Sequence, residues 1–208
     1  MADSQTQTPV PLSQSGFGPT PEGQRLQHRI LSTEPDLPRT ARDLYLALFE
    51  LLRKAEADGF CLTKEHEYRK FLQFIPERET RTALVFGGGR EPGGGKNRNF
   101  NREKTWDHFR RDDGAWFDFS ITLRDTREGL KLLAYDFELR FPPQYVSPAW
   151  LRFDLNLPGH DNTLDGLRCH FHPGNDDLMA PSPLLSPLEL LTLFLYGLRP
   201  RDPESPRH

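Results

Sequence analysis

Four successive runs in the second half of this chain alternate apolar and polar residues with a period of two. In 116–123, Phe117, Phe119, Ile121 and Leu123 alternate with Trp116, Asp118, Ser120 and Thr122. In 133–141, Leu133, Tyr135, Phe137, Leu139 and Phe141 alternate with Ala134, Asp136, Glu138 and Arg140. In 150–155, Leu151, Phe153 and Leu155 oppose Trp150, Arg152 and Asp154; in 166–172, Leu167, Cys169 and Phe171 oppose Arg168, His170 and His172. Successive side chains on a strand point to opposite faces, so each run supplies one apolar and one polar face. The connection 124–129 is short and polar, which pairs the first two runs as a hairpin. Pro142 and Pro143 stop the second run. A further strand is expected over Thr80–Phe86.

Helix signals flank this region. Thr40 can cap a helix with Asp43 in its first turn and an apolar stripe of Leu44, Ala47, Leu48, Leu51 and Leu52, ended by Gly59. Thr63 can cap a second, carrying Tyr68, Phe71, Leu72 and Ile75 up to Pro76. Ser186-Pro187-Leu188-Glu189 is a capping box with Pro at the first helical position. The helix it opens, Leu188 to Tyr196, is apolar nearly all round, so it is expected to be buried and to stop at Gly197. The expected fold is α+β: two N-terminal helices, an antiparallel sheet of about five strands, and one buried C-terminal helix on the apolar face.

The ends set the domain limits. Residues 1–38 are rich in Ser, Gln, Thr, Pro and Gly and read as a disordered arm; residues 199–208 read as a disordered tail. One domain over 39–198 remains, with a flexible Gly-rich basic loop over 87–104. The chain has 208 residues, a net charge of −3 and 36% hydrophobic residues, which suits one core diluted by its ends. Two cysteines, Cys61 and Cys169, give neither a disulfide framework nor a zinc knuckle. The N-terminus carries no secretory pattern, and the longest apolar run, Leu190 to Leu198, is too short to span a bilayer. No membrane partner is expected.

The overall charge does not point to a polyanion. The segment from Arg90 to Arg111 does so locally, with seven Lys or Arg against three acids. Its glycines and Lys96 do not make a phosphate-binding P-loop, because the spacing is wrong and no Ser or Thr follows the lysine. Lys96, Arg98, Arg102 and Lys104 could instead follow an RNA or other nucleic-acid backbone, with Phe100 or Trp106 stacking on a base.

The polar face is the candidate site. Arg168-Cys169-His170-Phe171-His172 puts two imidazoles on one side of a strand and Cys169 in the core. If the strands form one meander, that face also gathers Asp118, Asp136, Glu138, Arg140, Arg152 and Asp154. Three chemistries compete. His170 and His172 can act as acid and base with Asp154 orienting them and Arg152 and Arg168 holding a phosphate, a metal-independent ribonuclease without a cofactor. His160, His170 and His172 can ligate a metal, with Asp161 or Asp154 adding oxygen. The face can also dock a cognate protein as a non-enzymatic adaptor. Beside these stands the plain alternative of a solvated face that serves solubility. Asp176 and Asp177 could bind a cation, although acidic turn residues commonly stay in water.

The segment from Trp150-Leu151-Arg152-Phe153-Asp154 through Leu167-Arg168-Cys169-His170-Phe171-His172 to the capped helix resembles small bacterial proteins of the TumE-like toxin group. The resemblance covers about residues 150–196. The chain departs from that group in its greater length, its helices after Thr40 and its glycine-rich loop. The resemblance implies a cytoplasmic prokaryotic protein of a toxin–antitoxin or defence setting, acting on RNA.

Overall fold

The structure is a computed structural model, which describes residues 21–33, 35–88, 107–142, 148–160 and 166–200. Four α-helices are present among them: α1 (Pro21–Leu31), α2 (Ala41–Ala57), α3 (Glu65–Phe71) and α4 (Pro187–Thr192). Eight strands run between the last two: β1 (Leu72–Glu77), β2 (Thr82–Gly87), β3 (Phe109–Arg110), β4 (Trp116–Asp125), β5 (Leu130–Arg140), β6 (Trp150–Leu155), β7 (Cys169–His172) and β8 (Ala180–Pro181). They form one open antiparallel sheet in the order β1-β2-β4-β5-β6-β7-β8. β3 pairs with Trp116 and Phe117 of β4, beyond the point where β2 stops at Phe119. Thus two short partners cover the length of one long strand. Among the described residues no helix is long and apolar enough to cross a membrane.

The α+β class and the antiparallel sheet agree with the sequence; the counts of five strands and three helices do not. The extra helix, α1, lies within the stretch read as an arm. Two extra strands, β3 and β8, have two residues each, too few to show an alternation. The third, β1, replaces the second half of the helix expected to run to Pro76. At Leu72 the backbone leaves the helical region, with φ −82° and ψ 107°. The segment then pairs from Leu72↔Gly87 to Glu77↔Thr82. β1 is an edge strand, where a proline such as Pro76 is tolerated. Thr63 also differs from expectation. Its hydroxyl accepts from the Arg110 N–H (2.8 Å), while Glu67 accepts from the Lys64 N–H (2.8 Å) at the start of α3.

The other helix signals act as read. Thr40 accepts from the Asp43 N–H at 3.1 Å, and α2 buries Ala41, Leu44, Leu48, Leu52 and Ala55. Ser186 and Glu189 form a reciprocal capping box at α4. The last turn, Leu193–Gly197, widens to a π-helix. The guanidinium of fully buried Arg111 donates to the Phe194 carbonyl there, so a carbonyl at this helix end is satisfied from across the core.

α2 and α4 pack on the apolar sheet face together with Tyr68 and Phe71 of α3. That core is aromatic: Phe119 stacks on Phe137 at 4.9 Å and on Phe109 at 5.7 Å, and Phe194 meets Phe117 and Phe137 edge-on at 5.9 Å. Burying each such side chain contributes about 1.5–3 kcal/mol. Cys169 is buried on this side, near the Tyr135 hydroxyl and Ser182. The helices therefore leave the opposite face, with His170 and His172, to a separate polar cluster.

Candidate metal centre

Strand register assembles the cluster. Across β4, β5, β6 and β7, one row reads Asp118–Glu138–Arg152–His172, and the next reads Ser120–Asp136–Asp154–His170. Directly opposed residues on an antiparallel pair are in side-chain contact range. Two carboxylates, Asp136 and Asp154, thus face each other across β5 and β6, as do Asp118 and Glu138 across β4 and β5. Such pairs repel unless cations lie among them.

This face is not a solvated one. His170 is 1% exposed, His172 3%, Arg152 2%, Glu138 1%, Asp118 2% and Asp154 7%. Burying charges at this density is costly unless they are paired or hold a metal. Arg152 supplies one counter-charge. Its Nε donates to Asp154 Oδ2 at 2.8 Å, its Nη2 lies 2.7 Å from Asp176 Oδ1, and its Nη1 lies 3.7 Å from Glu138 Oε2. Burial lowers its pKa, but Asp154, Asp136 and Asp176 outweigh burial and raise it. Arg140 donates to the other oxygen of Glu138 at 2.6 Å and lies between the rings of Trp116 and Trp150.

The two imidazoles face each other. His170 Nε2 and His172 Nε2 are 3.1 Å apart, and Asp154 Oδ2 lies 3.6 Å from the first and 3.3 Å from the second. His172 Nδ1 meets the Asn175 carbonyl at 3.3 Å. A carbonyl only accepts, so this contact needs the proton on Nδ1; a neutral His172 ring then presents a bare lone pair at Nε2. His170 can donate its own Nε2–H to that lone pair. With its proton on Nδ1 it presents a second lone pair instead. Burial pushes the His170 pKa below the usual imidazole value, and the neighbouring His172 and Arg152 add to this; Asp154 and the Leu167 carbonyl oppose it. Neutral His170 is the form that can ligate a metal.

Donor spacing tests the fit. Separations of 3.1, 3.3 and 3.6 Å put the three atoms on a circle of radius about 1.9 Å. A tetrahedral ion with bonds of about 2.05 Å holds three of its ligands on a circle of about 1.9 Å. An octahedral ion of the magnesium type, with bonds of about 2.1 Å, needs about 1.7 Å. The triangle therefore fits a tetrahedral ion of the zinc type. Asp154, His170 and His172 are also the residues among those described whose donor atoms converge within 4.8 Å of one another.

The remaining sequence candidates lie elsewhere. His160 is exposed in the turn after β6, its N–H bonded to the Leu157 carbonyl, and Asp154 takes the place expected of it. Arg168 donates to the carbonyls of Asn156 (2.9 Å) and Leu133 (3.1 Å), away from the imidazoles. Arg152 sits in the cluster but with its nitrogens turned to carboxylates. Asp161, Lys96, Arg98, Arg102 and Lys104 lie outside the described residues, and with them most of the loop 87–104. At the near end of that basic segment, Arg110 pairs with Glu67 at 2.8 Å. Asn175 is an addition to the site; Asp176, read from the sequence as a possible cation ligand, pairs with Arg152 instead. Nothing local in the sequence ties a turn residue to Arg152.

Compared with known proteins, the chain matches no described family, no curated protein and no solved structure.

Proposed function

We propose that this chain is a mononuclear metalloenzyme of the hydrolytic kind, holding a zinc-type ion between Asp154, His170 and His172. One observation carries the reading: three donor atoms of the right kinds face one another with the spacing of a tetrahedral ion's ligands. An acid–base pair serving a substrate would aim its nitrogens outward, whereas these two Nε2 atoms aim at each other. Three protein donors leave a fourth position, as in catalytic rather than structural zinc sites. Bound there, zinc supplies a water whose pKa falls toward about 7. Around it the chain sets the His172 tautomer through Asn175, holds Asp154 through Arg152 and keeps both rings buried in the sheet face.

The substrate proposed is RNA. The basic sequence over 90–111 and the resemblance of residues 150–196 to TumE-like proteins support that choice, and they support a toxin or defence role. The ribonuclease expected from the sequence thus becomes metal-dependent. The test is elemental analysis of the purified full chain, followed by RNA cleavage with and without chelator. About one zinc per chain, cleavage that stops with chelator and returns with zinc, and loss of both in His170→Ala/His172→Ala are expected. A protein that neither co-purifies with zinc nor takes it up on titration sinks the reading. One that binds zinc but leaves RNA intact keeps the centre and removes the substrate.

A further inference from the structure

Arg152 touches carboxylates from three different parts of the chain. Asp154 is two residues on along β6, Glu138 is opposite on β5, and Asp176 comes from the turn between β7 and β8. We infer that Asp176 is a positioning residue of the metal centre, acting through Arg152 on Asp154. The inference rests on the metal reading above and names a residue that lies outside the donor set.

The argument starts at one oxygen. Asp154 Oδ2 accepts from Arg152 Nε, and the same atom faces both imidazoles. It is therefore shared between a guanidinium and the ion, and its availability depends on where the guanidinium charge is drawn. Glu138 draws little of it, lying 3.7 Å away and already accepting from Arg140. Asp176, at 2.7 Å, is the nearer of these two competing carboxylates and meets Nη2. Its carboxylate is the counter-charge nearest the outer end of a planar group whose Nε is bound to Asp154.

Removing the Asp176 charge acts twice, with one sign. The guanidinium then concentrates on Asp154 and competes with the ion for Oδ2. A negative charge close to the ion is also lost. Both effects weaken metal binding.

The same turn reaches a second ligand. The Asn175 carbonyl meets His172 Nδ1, and Asn175 Oδ1 accepts from the Asp177 N–H at 2.8 Å, which closes the turn. Gly174 has φ +81°, and a Cβ there would come within 3.0 Å of Pro148 and 3.3 Å of the Trp150 carbonyl. The turn is thus seated against the start of β6. Asn175 and Asp176, adjacent in sequence, orient ligands on β7 and β6. Outer partners of metal ligands typically change affinity by about 10–100-fold when altered.

The experiment uses the full chain carrying Asp176→Asn, which keeps shape and removes charge, Asp176→Glu, which keeps charge, and the exposed neighbour change Asp177→Asn. Zinc affinity is read by competition with a chromophoric chelator. Coordination is read from the visible bands of the cobalt(II)-loaded protein, and melts of the metal-free proteins report folding. Asp176→Asn is expected to weaken zinc by about tenfold or more and to shift the cobalt bands. Asp176→Glu should regain part of the affinity, and Asp177→Asn should match the parent. Zinc affinity within twofold of the parent in Asp176→Asn, with unchanged cobalt bands, overturns the inference. So does a lowered melt with unchanged affinity, which marks a purely structural residue. A parent chain that binds neither metal overturns the metal reading itself.

Discussion

Replacing Arg152 by Met separates a buried charge network from a decorative one. Arg152 is 2% exposed, and the side chains of its partners Glu138, Asp154 and Asp176 are 1%, 9% and 23% exposed. Met keeps most of the volume and the contact with Trp150, whose ring lies 5.3 Å from the guanidinium carbon. The charge alone is lost. Glu138 retains Arg140, and Asp176 is partly in water, so the damage falls on Asp154. Leaving one buried charge uncompensated costs about 3–5 kcal/mol. For a domain of this size each kcal/mol lowers Tm by about 2–4 °C, so a fall of about 10 °C is expected. The exposed pair Arg110–Glu67 serves as the control, because surface pairs contribute below about 1 kcal/mol. Thermal unfolding followed by circular dichroism, on metal-free protein, gives the answer. A variant melting within about 2 °C of the parent refutes the claim that these carboxylates are buried against Arg152.

Two further predictions concern the other face of the sheet. Phe137→Ala removes a fully buried ring stacked on Phe119 and edge-on to Phe194 and Tyr135, and should cost about 3–5 kcal/mol in urea unfolding; a loss under about 1.5 kcal/mol contradicts the packing described. Burial pushes the Cys61 thiol from 9.0 up to about 11. The folded state thus favours the neutral thiol, the unfolded chain ionises first, and stability should fall as pH rises from about 9 to about 11. The loss is about 2–3 kcal/mol, and Cys61→Ala should flatten that part of the profile; an equal slope in parent and variant contradicts it.

The legible parts of the fold are those with local signatures. Period-two alternation shows β4 to β7 and places Arg152, Asp154, His170 and His172 on one face. Capping chemistry shows the starts of α2 and α4. β1 escapes because the spacing of Tyr68, Phe71, Leu72 and Ile75 satisfies a helix, while Phe74, Ile75 and the edge-tolerant Pro76 equally satisfy a strand. Only the pairing with β2 decides between them. The convergence of Asp154 with His170 and His172 also lies beyond local reading. It depends on cross-strand register, which opposes Asp154 to His170, and on burial, which no single strand reveals. Asp176 illustrates the point further. It looks like a solvated turn residue until the chain folds and Arg152 arrives from β6.

X-ray absorption at the zinc edge of the zinc-loaded full chain tests the centre most directly. The account predicts two imidazole nitrogens and one carboxylate oxygen, with one further light atom, all at about 2.0–2.1 Å. In the His170→Ala/His172→Ala variant this signal should vanish. A sulfur ligand, an all-oxygen shell, or the same spectrum in the double variant would contradict it.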